Sequence, residues 1–412
     1  MSPSTNKRIL MLLENNPYSE DIRVKHEATA LDEAGYTLSI ICPRPKNGKF
    51  YEEISDGISL FQYPAPIEGE GLLAYIWEYG YSVTVMFFLS LWVALWKGFD
   101  VVHTHNPPDF MFVIGGFYKL FGKQFVFDHH DLAPENYMAR FDSDSSKLVH
   151  RFLISCEKLT AKMADHLIVT NESYKEMNQI RSDISPDRIT IVRNGPDEER
   201  IHPVEPDPEL RAQAGTLLGY VGIMGPQDGI EYLLRSIQIL VHELKQTDIY
   251  CILIGKSNQL AHYRSMVNEL AINDHICFTG WISDEELVRI LSTVDICLVP
   301  DPSNPFNDRC TMIKIMEYMA LGKPIVAFDL PEHRYSAQDA ALYARNNNEA
   351  EFAAHINTLI LHPKMRRAMS RAGKRRVRNV LAWHHQKNNL IAAYEQLLYI
   401  KHQKPIGEPQ SS

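Results

Sequence analysis

The stretch richest in side chains that could do chemistry lies late in the chain. Residues 301–334 read DPSNPFNDRCTMIKIMEYMALGKPIVAFDLPEHR, a polar loop broken by prolines and then a helical pattern. A helix N-terminus offers free backbone N–H groups and a positive dipole end, which suits a phosphate. Lys314 and Glu317 are three residues apart and share a helix face, so the lysine suits a diphosphate and the glutamate suits ribose hydroxyls. The alternative is a surface ion pair between these two side chains.

Two further loops each follow an apolar segment. Residues 222–229 read GIMGPQDG, and glycines there let the backbone approach a ligand closely, although a tight turn without a ligand is the alternative. Residues 128–131 read DHHD, and a histidine beside a carboxylate suits an acid, a base or a group that orients a substrate. A pair of surface histidines and a metal site are the alternatives there. His103 and His105 are expected at the same sheet edge.

The elements that must position these loops alternate along the chain. Short apolar strands alternate with helical patterns, which predicts βαβ units and a parallel sheet in each half. Ligands of such sheets lie outside the carboxyl ends of the strands. The expected strands are 8–13, 37–42, 101–104, 125–128, 167–170, 189–192, 217–221, 250–254, 276–279, 296–299, 325–327 and 341–343.

This pattern predicts an α/β protein of two doubly wound domains. The first covers residues 1–193, and a proline-rich linker, 194–216, joins it to a second domain at 217–384. A helix at 385–400 is expected to pack back on the first domain. Residues 401–412 are expected to form a disordered tail.

Composition excludes several function classes. The 412 residues are 45% hydrophobic and 23% charged, as in soluble globular proteins, and the net charge of −9 argues against a nucleic-acid partner. Six cysteines without a CxxC pair are typical of reduced thiols in the cytoplasm rather than a zinc site. Motifs of the types GxGxxG, GxxxxGK[ST], GxSxG and HExxH are missing from the sequence, which removes the main support for the functions they mark.

One segment points toward a membrane. Residues 81–96 read YSVTVMFFLSLWVALW without a charge, yet a spanning helix needs about 20 such residues. The two main alternatives are a buried core helix and a helix that dips into a membrane face, where Trp77, Trp92 and Trp96 suit the interface. We therefore expect a cytoplasmic protein, with peripheral attachment to the cytosolic face of the inner membrane as the open question.

The stretch MEYMALGKPIVA, followed by PEHR, resembles the donor-nucleotide motif of retaining glycosyltransferases of family 4. VVHTHNPPD, FDHHDLAPE and LGYVGIMGPQDGIEYLLRSI resemble other parts of that family in the same order, and the resemblance covers residues 7–400. It implies the GT-B fold, in which two Rossmann-like domains face each other across a cleft. It also implies transfer of a sugar from a nucleotide-diphosphate sugar to a saccharide or lipid-linked acceptor, without a metal or another cofactor.

The resemblance also implies site residues. Catalytic roles fall to His130, Asp131, Arg309, Lys314 and Glu317. Donor binding falls to Gly222, Gly225, Gly255, Trp281, Ile282 and Asp308, together with Arg309, Lys314 and Glu317. Acceptor binding falls to Asn16, Arg23 and His105.

The chain departs from the family pattern at the diphosphate. Ile223 and Asp228 stand where relatives carry an arginine and a lysine, and Arg309 stands where they carry the first of two acids. From charge and spacing we infer that Arg309 and Lys314 supply the missing positive charge, and that Asp308 replaces the first acid. The same departures keep two alternatives open: a catalytically weak homologue that binds nucleotide sugars as a scaffold subunit, and a GT-B epimerase.

Overall fold

The computed structural model describes residues 7–66, 72–140 and 144–403, which form two compact units. The first unit combines the residues up to Arg193 with those from Gln386 onward, and the second runs from Asn194 to His385. The stretch 194–216, expected as a linker, is therefore part of the second unit. The last helix continues to Gln403, and the rest of the expected tail lies outside the described residues.

A parallel sheet forms the framework of the first unit. Its strands are β1 Arg8–Leu12, β2 Thr37–Arg44, β3 Tyr51–Ser55, β4 Ile58–Pro64, β5 Val101–His105, β6 Gln124–His129, β7 His166–Val169 and β8 Ile189–Ile191. They lie in the order β3-β4-β2-β1-β5-β6-β7-β8, and β3 with β4 is the antiparallel pair. The strand order reverses between β1 and β5, so the loops after these strands open a crevice at the carboxyl edge.

The hairpin formed by β3 and β4 is missing from the sequence prediction. β3 reads YEEIS and is largely exposed, so it lacks the apolar alternation that marks a half-buried strand. The turn between the strands contains Asp56-Gly57, a pair that favours hairpin turns. The Asp56-Gly57 dipeptide was the sequence signal that could have predicted this hairpin.

Among the described residues, six α-helices belong wholly to the first unit: α1 Ile22–Glu33, α2 Leu72–Trp96, α3 Phe112–Lys119, α4 Ala133–Arg140, α5 Asp144–Met163 and α6 Glu172–Ser182. The side chain of Asp21 caps α1 by accepting a hydrogen bond from the backbone N–H of Val24 at 2.9 Å. This cap fixes where α1 begins, and the first turn of the helix then carries Arg23 into the interior of the unit.

The second unit contains a six-stranded parallel sheet. Its strands are β9 Thr216–Val221, β10 Ile249–Ile254, β11 Ile276–Gly280, β12 Ile296–Val299, β13 Ile325–Phe328 and β14 Ala341–Ala344, in the order β11-β10-β9-β12-β13-β14. This is the order of a Rossmann fold, and it reverses between β9 and β12. Apolar clusters pack on its two faces, one around Leu233 and Phe352 and the other around Ile315 and Leu291.

The remaining helices lie before, between and after these strands along the chain. They are α7 Pro208–Arg211, α8 Ile230–Gln238, α9 Leu260–Glu269, α10 Asp284–Thr293, α11 Ile313–Ala320, α12 Pro331–Ala337, α13 Glu349–Leu361, α14 Pro363–Arg376 and α15 Trp383–Gln403. From Gln386 onward α15 counts with the first unit, where the Tyr394 hydroxyl lies 2.8 Å from Nδ1 of His103.

The apolar helix α2 has two different faces. Val83, Met86 and Val93 are buried in the core of the first unit, whereas Phe88 and Leu95 are 64% and 89% exposed. Among the described helices, the segment Trp77–Trp96 is the one long and apolar enough to cross a membrane by length and composition, and 28% of its most apolar window is buried. One face of α2 is thus a core face, and the opposite face presents large apolar side chains to the surroundings.

This division predicts different outcomes for two substitutions two residues apart on α2. Met86→Ala should lower the free energy of unfolding by roughly 2–5 kcal/mol, because it leaves a cavity in the core. Phe88→Ala should change it by less than about 0.5 kcal/mol, because the side chain is exposed. Urea denaturation midpoints would measure both values. Equal destabilisation by the two variants would contradict the assignment of the faces.

Candidate active site

In the first unit the candidate residues converge on the buried carboxylate of Asp128, at the carboxyl end of β6. Arg23 donates two hydrogen bonds to it, from Nε and Nη2, each of 2.7 Å. His105 and His130 approach the same Oδ2 atom with their Nδ1 atoms, at 2.9 Å and 3.1 Å. Arg23 also donates to the carbonyl of Val192 at 2.9 Å, which fixes the guanidinium in place.

The charges in this cluster follow from burial and pairing. Burial opposes ionisation of Asp128, but the Arg23 guanidinium and the two histidine contacts hold its pKa well below the usual range. Burial lowers the pKa of His105 and lowers that of His103 further. We therefore take Asp128 as charged and these two histidines as neutral near neutral pH. His130 has a side chain that is 16% exposed, which leaves an edge of the ring open to a ligand.

A polar loop holds the turn that carries His130 and Asp131. The side-chain oxygen of Asn106 accepts hydrogen bonds from the backbone N–H of His130 at 2.8 Å and of Asp131 at 3.1 Å. The Asn106 amide donates to the carbonyl of Asp131 at 2.7 Å. Because Asn106 is in the loop after β5, it joins two neighbouring strand ends. The prediction did not assign Asn106 a role, although its position just before Pro107 at a strand end was a signal.

The alternative of a pair of surface histidines at 129–130 is wrong. His129 is fully buried, and its Nδ1 lies 2.9 Å from the side-chain amide of Asn178. Both His103 and His105 are also buried. Asn16, predicted to bind an acceptor, lies exposed in the loop after β1 and makes no hydrogen bond to the Asp128 cluster in the described part of the chain.

The same cluster has the composition of a metal site. Glu27, His103, His105 and Asp128 are all buried, and one ligand atom of each lies within 4.8 Å of the others. The chain already places a cation there, however, because Arg23 binds Asp128 and lies 3.0 Å from Oε1 of Glu27. Burial raises the pKa of Glu27 well above its usual value, which further weakens it as a metal ligand. Independence from metals remains a prediction.

In the second unit the candidate donor residues gather where the strand order reverses. Lys314, in the first turn of α11, places Nζ 3.0 Å and 3.1 Å from the two carboxylate oxygens of Asp301, which follows β12. The ammonium also lies 4.7 Å from the ring centre of Tyr220, on β9. Asp301 is 1% exposed and Lys314 is 10% exposed, so this pair is largely removed from water.

Glycines let the backbone close around this position. Gly222 follows β9 with a φ of +156°, and a Cβ there would lie 2.8 Å from the Tyr220 hydroxyl and 3.5 Å from Nζ of Lys314. Gly255 follows β10 with a φ of +135°, and its Cβ would lie 2.0 Å from the carbonyl oxygen of Gly222. Gly222 and Gly255 are thus required as glycines, because neighbouring atoms lie too close to the backbone for a side chain. The N–H of Gly225 donates to Asp228 at 3.0 Å, so Asp228 here stabilises the turn.

Glu317 lies in the same helix as Lys314 but has a different partner. Its Oε1 accepts a hydrogen bond from Nη2 of Arg200, and Nη1 of Arg200 donates to Asp284 at 3.1 Å. Burial raises the pKa of Glu317, and the charge of Arg200 opposes that rise. The alternative of an ion pair between Lys314 and Glu317 is therefore wrong, because each side chain pairs with a residue from another segment.

The remaining donor candidates take less specific positions. Arg309 donates to the carbonyl of Pro305 in its own loop at 2.7 Å, and the Oδ2 of Asp308 accepts from Ser303 at 3.2 Å. Trp281 is 72% exposed beneath the ammonium of Lys256, 4.8 Å from the ring centre. Ile282 is half-buried against the core of the second unit. The structure brings Gly222, Gly255 and Lys314 together.

Comparison with known proteins identifies the family to which this chain belongs. A family profile described as Glycosyltransferase Family 4 matches residues 22–200, and one described as Glycosyl transferases group 1 matches residues 215–362. The chain belongs to the family 4 glycosyltransferases. The two profiles together account for most of the sequence, so the resemblance drawn from the motifs is confirmed.

Relatives and solved structures agree with this family. The chain is 24% identical over 258 residues to an MMP α-(1→4)-mannosyltransferase of Mycolicibacterium hassiacum, covering 61% of this chain and 59% of the relative. Two other curated relatives are covered over 54% and 48% of their lengths. The sucrose-phosphate synthase of Thermosynechococcus elongatus superposes with a TM-score of 0.76 at 18% identity, over 96% of this chain and 100% of that one.

A further superposition includes a ligand-bound protein. HepE of Anabaena, solved in complex with UDP and glucose, gives a TM-score of 0.68 at 13% identity, over 95% of this chain and 100% of that one. These structural similarities establish the GT-B fold predicted for this family member.

Arg200 is a partner of Glu317 that the sequence prediction missed, and its contact predicts a pH-dependent effect. Arg200→Ala should weaken binding of a nucleotide-sugar donor about tenfold at pH 7, because burial already raises the pKa of Glu317 and loss of the Arg200 charge raises it further. Affinity should recover as the pH is raised through that pKa, since the carboxylate then ionises. Arg200→Lys should restore most of the binding.

Calorimetric titration between pH 6 and pH 9 would measure this effect. Arg289→Ala is a suitable control, because that arginine is 52% exposed and pairs with Asp207 instead. A uniform loss of affinity at every pH in Arg200→Ala would mean that Arg200 does not act through the charge of Glu317.

Proposed function

We propose that this protein transfers a glycosyl group from a nucleotide-diphosphate sugar to a saccharide acceptor, with the anomeric configuration retained. The observation that carries the proposal is the arrangement at α11, where Lys314 and Glu317 occupy successive turns beside Gly222 at the switch point of the second sheet. A cation and a carboxylate at this spacing match a diphosphate and a ribose. The names of the relatives, which are glycosyltransferases, support the same reaction class.

In this proposal donor binding exchanges one set of partners for another. The diphosphate replaces Asp301 as the main partner of Lys314, and the N-terminal N–H groups of α11 face the same negative charge. The second carboxylate oxygen of Glu317 accepts from the ribose hydroxyls while Arg200 keeps the first. As the bond from the sugar to the diphosphate breaks, negative charge grows on the leaving group, and Lys314 stabilises it. Arg309 adds positive charge to the same loop.

The first unit supplies the acceptor side. His130 is held by Asp128 and by the Asn106 loop, with one ring edge open, so it suits contact with the transferred sugar or with an acceptor hydroxyl. Arg23 and His105 then act by fixing Asp128, and through it His130. Asp131 contributes the backbone geometry of the same turn. The chemistry needs no metal ion, because side chains and a helix terminus meet the developing charge.

We further propose a lipid-linked acceptor and a role in surface polysaccharide or glycoconjugate biosynthesis. The exposed apolar face of α2, with Trp92 and Trp96 stacked at 5.3 Å between ring centres, suits the headgroup boundary of a bilayer. The protein would then work in the cytoplasm, attached peripherally to the cytosolic face of the inner membrane.

The proposal predicts donor-dependent nucleotide release that requires Glu317. Wild-type protein, a panel of nucleotide-diphosphate sugars and a membrane extract should release nucleoside diphosphate from one donor, and EDTA should not change the rate. Glu317→Ala should reduce donor affinity roughly tenfold or more, since a charged hydrogen bond contributes about 1.5–3 kcal/mol.

A matched control is Glu351→Ala, which removes a half-buried carboxylate of α13 that pairs with Arg345. Donor binding without release under any condition would favour a scaffold subunit, and turnover of the donor sugar without an acceptor would favour an epimerase. Activity lost with EDTA and restored by zinc would support the metal alternative at the buried histidines.

A further inference from the structure

An apolar cavity of about 830 Å³ lies within the first unit, apart from the Asp128 cluster. Its walls come from the start of α2, the segment 110–113 and the first half of α5. The lining residues include Phe112, Leu148 and Phe152. Because Phe152 is 63% exposed, the cavity opens to the surface. The volume falls within the range of about 300–1,000 Å³ that is common for small-molecule sites.

The cavity shares a short loop with the site of His130. Asn106, which holds the turn of His130, also donates to Asp109 at 2.8 Å, and the next residue, Phe110, lines the cavity. Thr160 of α5 fixes this loop, because its hydroxyl donates to the carbonyl of Asp109 and accepts from the N–H of Phe112 at 3.3 Å. The loop 106–110 therefore connects the turn of His130 to a wall of the apolar cavity.

The rim carries one charge suited to a lipid phosphate. Arg151 is the charged residue among those lining the cavity, and within the described residues it forms no ion pair. Ser155, another lining residue, directs its hydroxyl to the carbonyl of Arg151 at 2.8 Å, so it adds little polarity. A guanidinium without an ion-pair partner among the described residues, beside an apolar cavity, complements an anion that is attached to a hydrocarbon chain.

The cavity also adjoins the apolar helix α2. Tyr79 and Gly80 of α2 line it, and the Tyr79 ring lies 6.1 Å from that of Phe110 in an edge-to-face arrangement. The exposed face of the same helix continues through Thr84 and Phe88. A chain held in the cavity would thus lie next to the surface that we propose to meet the bilayer.

From these observations we infer that the cavity binds the first carbons of the hydrocarbon chain of a lipid phosphate acceptor, with the phosphate at Arg151. This inference rests on the proposed function and names the carrier of its acceptor. A hydrocarbon chain gains free energy for each methylene that leaves water, and the apolar walls provide that environment. The phosphate at the rim sets which part of the chain enters, while the attached saccharide extends toward His130.

Gly80 offers a direct way to fill the cavity. A Cβ built at Gly80 meets no atom within 4 Å, so a larger side chain enters open space without a clash. Gly80→Trp should weaken binding of farnesyl phosphate at least tenfold, measured by calorimetry without vesicles. Thr84→Trp, one turn along the exposed side of α2, is the matched control and should bind within twofold of wild type. Arg151→Gln should weaken binding of farnesyl phosphate but not of farnesol.

Three results would overturn the inference: no binding of farnesyl phosphate to the wild type, equal binding to Gly80→Trp, or a Gly80→Trp variant that loses only sedimentation with anionic vesicles. The last result would mean that the cavity docks the bilayer. Should Gly80→Trp fail to fold, Val113→Trp fills the cavity from its opposite wall. Nucleotide release by the same proteins tests the proposed glycosyl transfer separately from the proposed lipid site. Binding of farnesyl phosphate needs no donor, so it can be interpreted even if no donor is turned over.

Discussion

Buried charge is the constraint on which the candidate sites of both units depend. A charged side chain removed from water is costly unless an opposite charge and hydrogen bonds accompany it. The chain meets this requirement with Arg23 and Asp128 in the first unit, and with Lys314 and Asp301 in the second. Arg200 does the same for Glu317. In the proposed function the donor diphosphate takes the place of Asp301 beside Lys314, whereas Arg200 stays paired with Glu317 and Arg23 with Asp128.

The fold explains why these pairs form where they do. In both sheets the strands are parallel, so the loops that follow them meet at one edge, and the reversal of strand order opens a crevice there. Asn106 and His130 follow adjacent strands β5 and β6, while Gly222 and Asp301 follow adjacent strands β9 and β12. The sheets bring together residues that are far apart in sequence, and the loops supply the chemistry.

The sequence was informative where the signal is local. The spacing of Lys314 and Glu317 places both on α11, and the glycines after β9 and β10 mark close backbone approach. The partners of these residues were not predictable, since Arg200 is 117 residues from Glu317 and nothing in its own segment marks it. Strand β3 was not predicted because it is exposed and therefore lacks an apolar pattern. Helix α2 has a core face and an exposed apolar face. Because residues 81–96 carry no charge, the sequence does not show which apolar residues lie on which face.

In the proposed function Lys314 exchanges Asp301 for the diphosphate of the donor. The most direct measurement is calorimetric binding of the preferred nucleoside diphosphate, and of the corresponding nucleoside, to wild type and to the double variant Lys314→Met with Asp301→Asn, which leaves no unpaired carboxylate buried. We expect affinity for the diphosphate to fall tenfold or more while affinity for the nucleoside is unchanged, because a charged hydrogen bond of about 1.5–3 kcal/mol is lost. Equal affinity of the two proteins for the diphosphate would contradict this exchange.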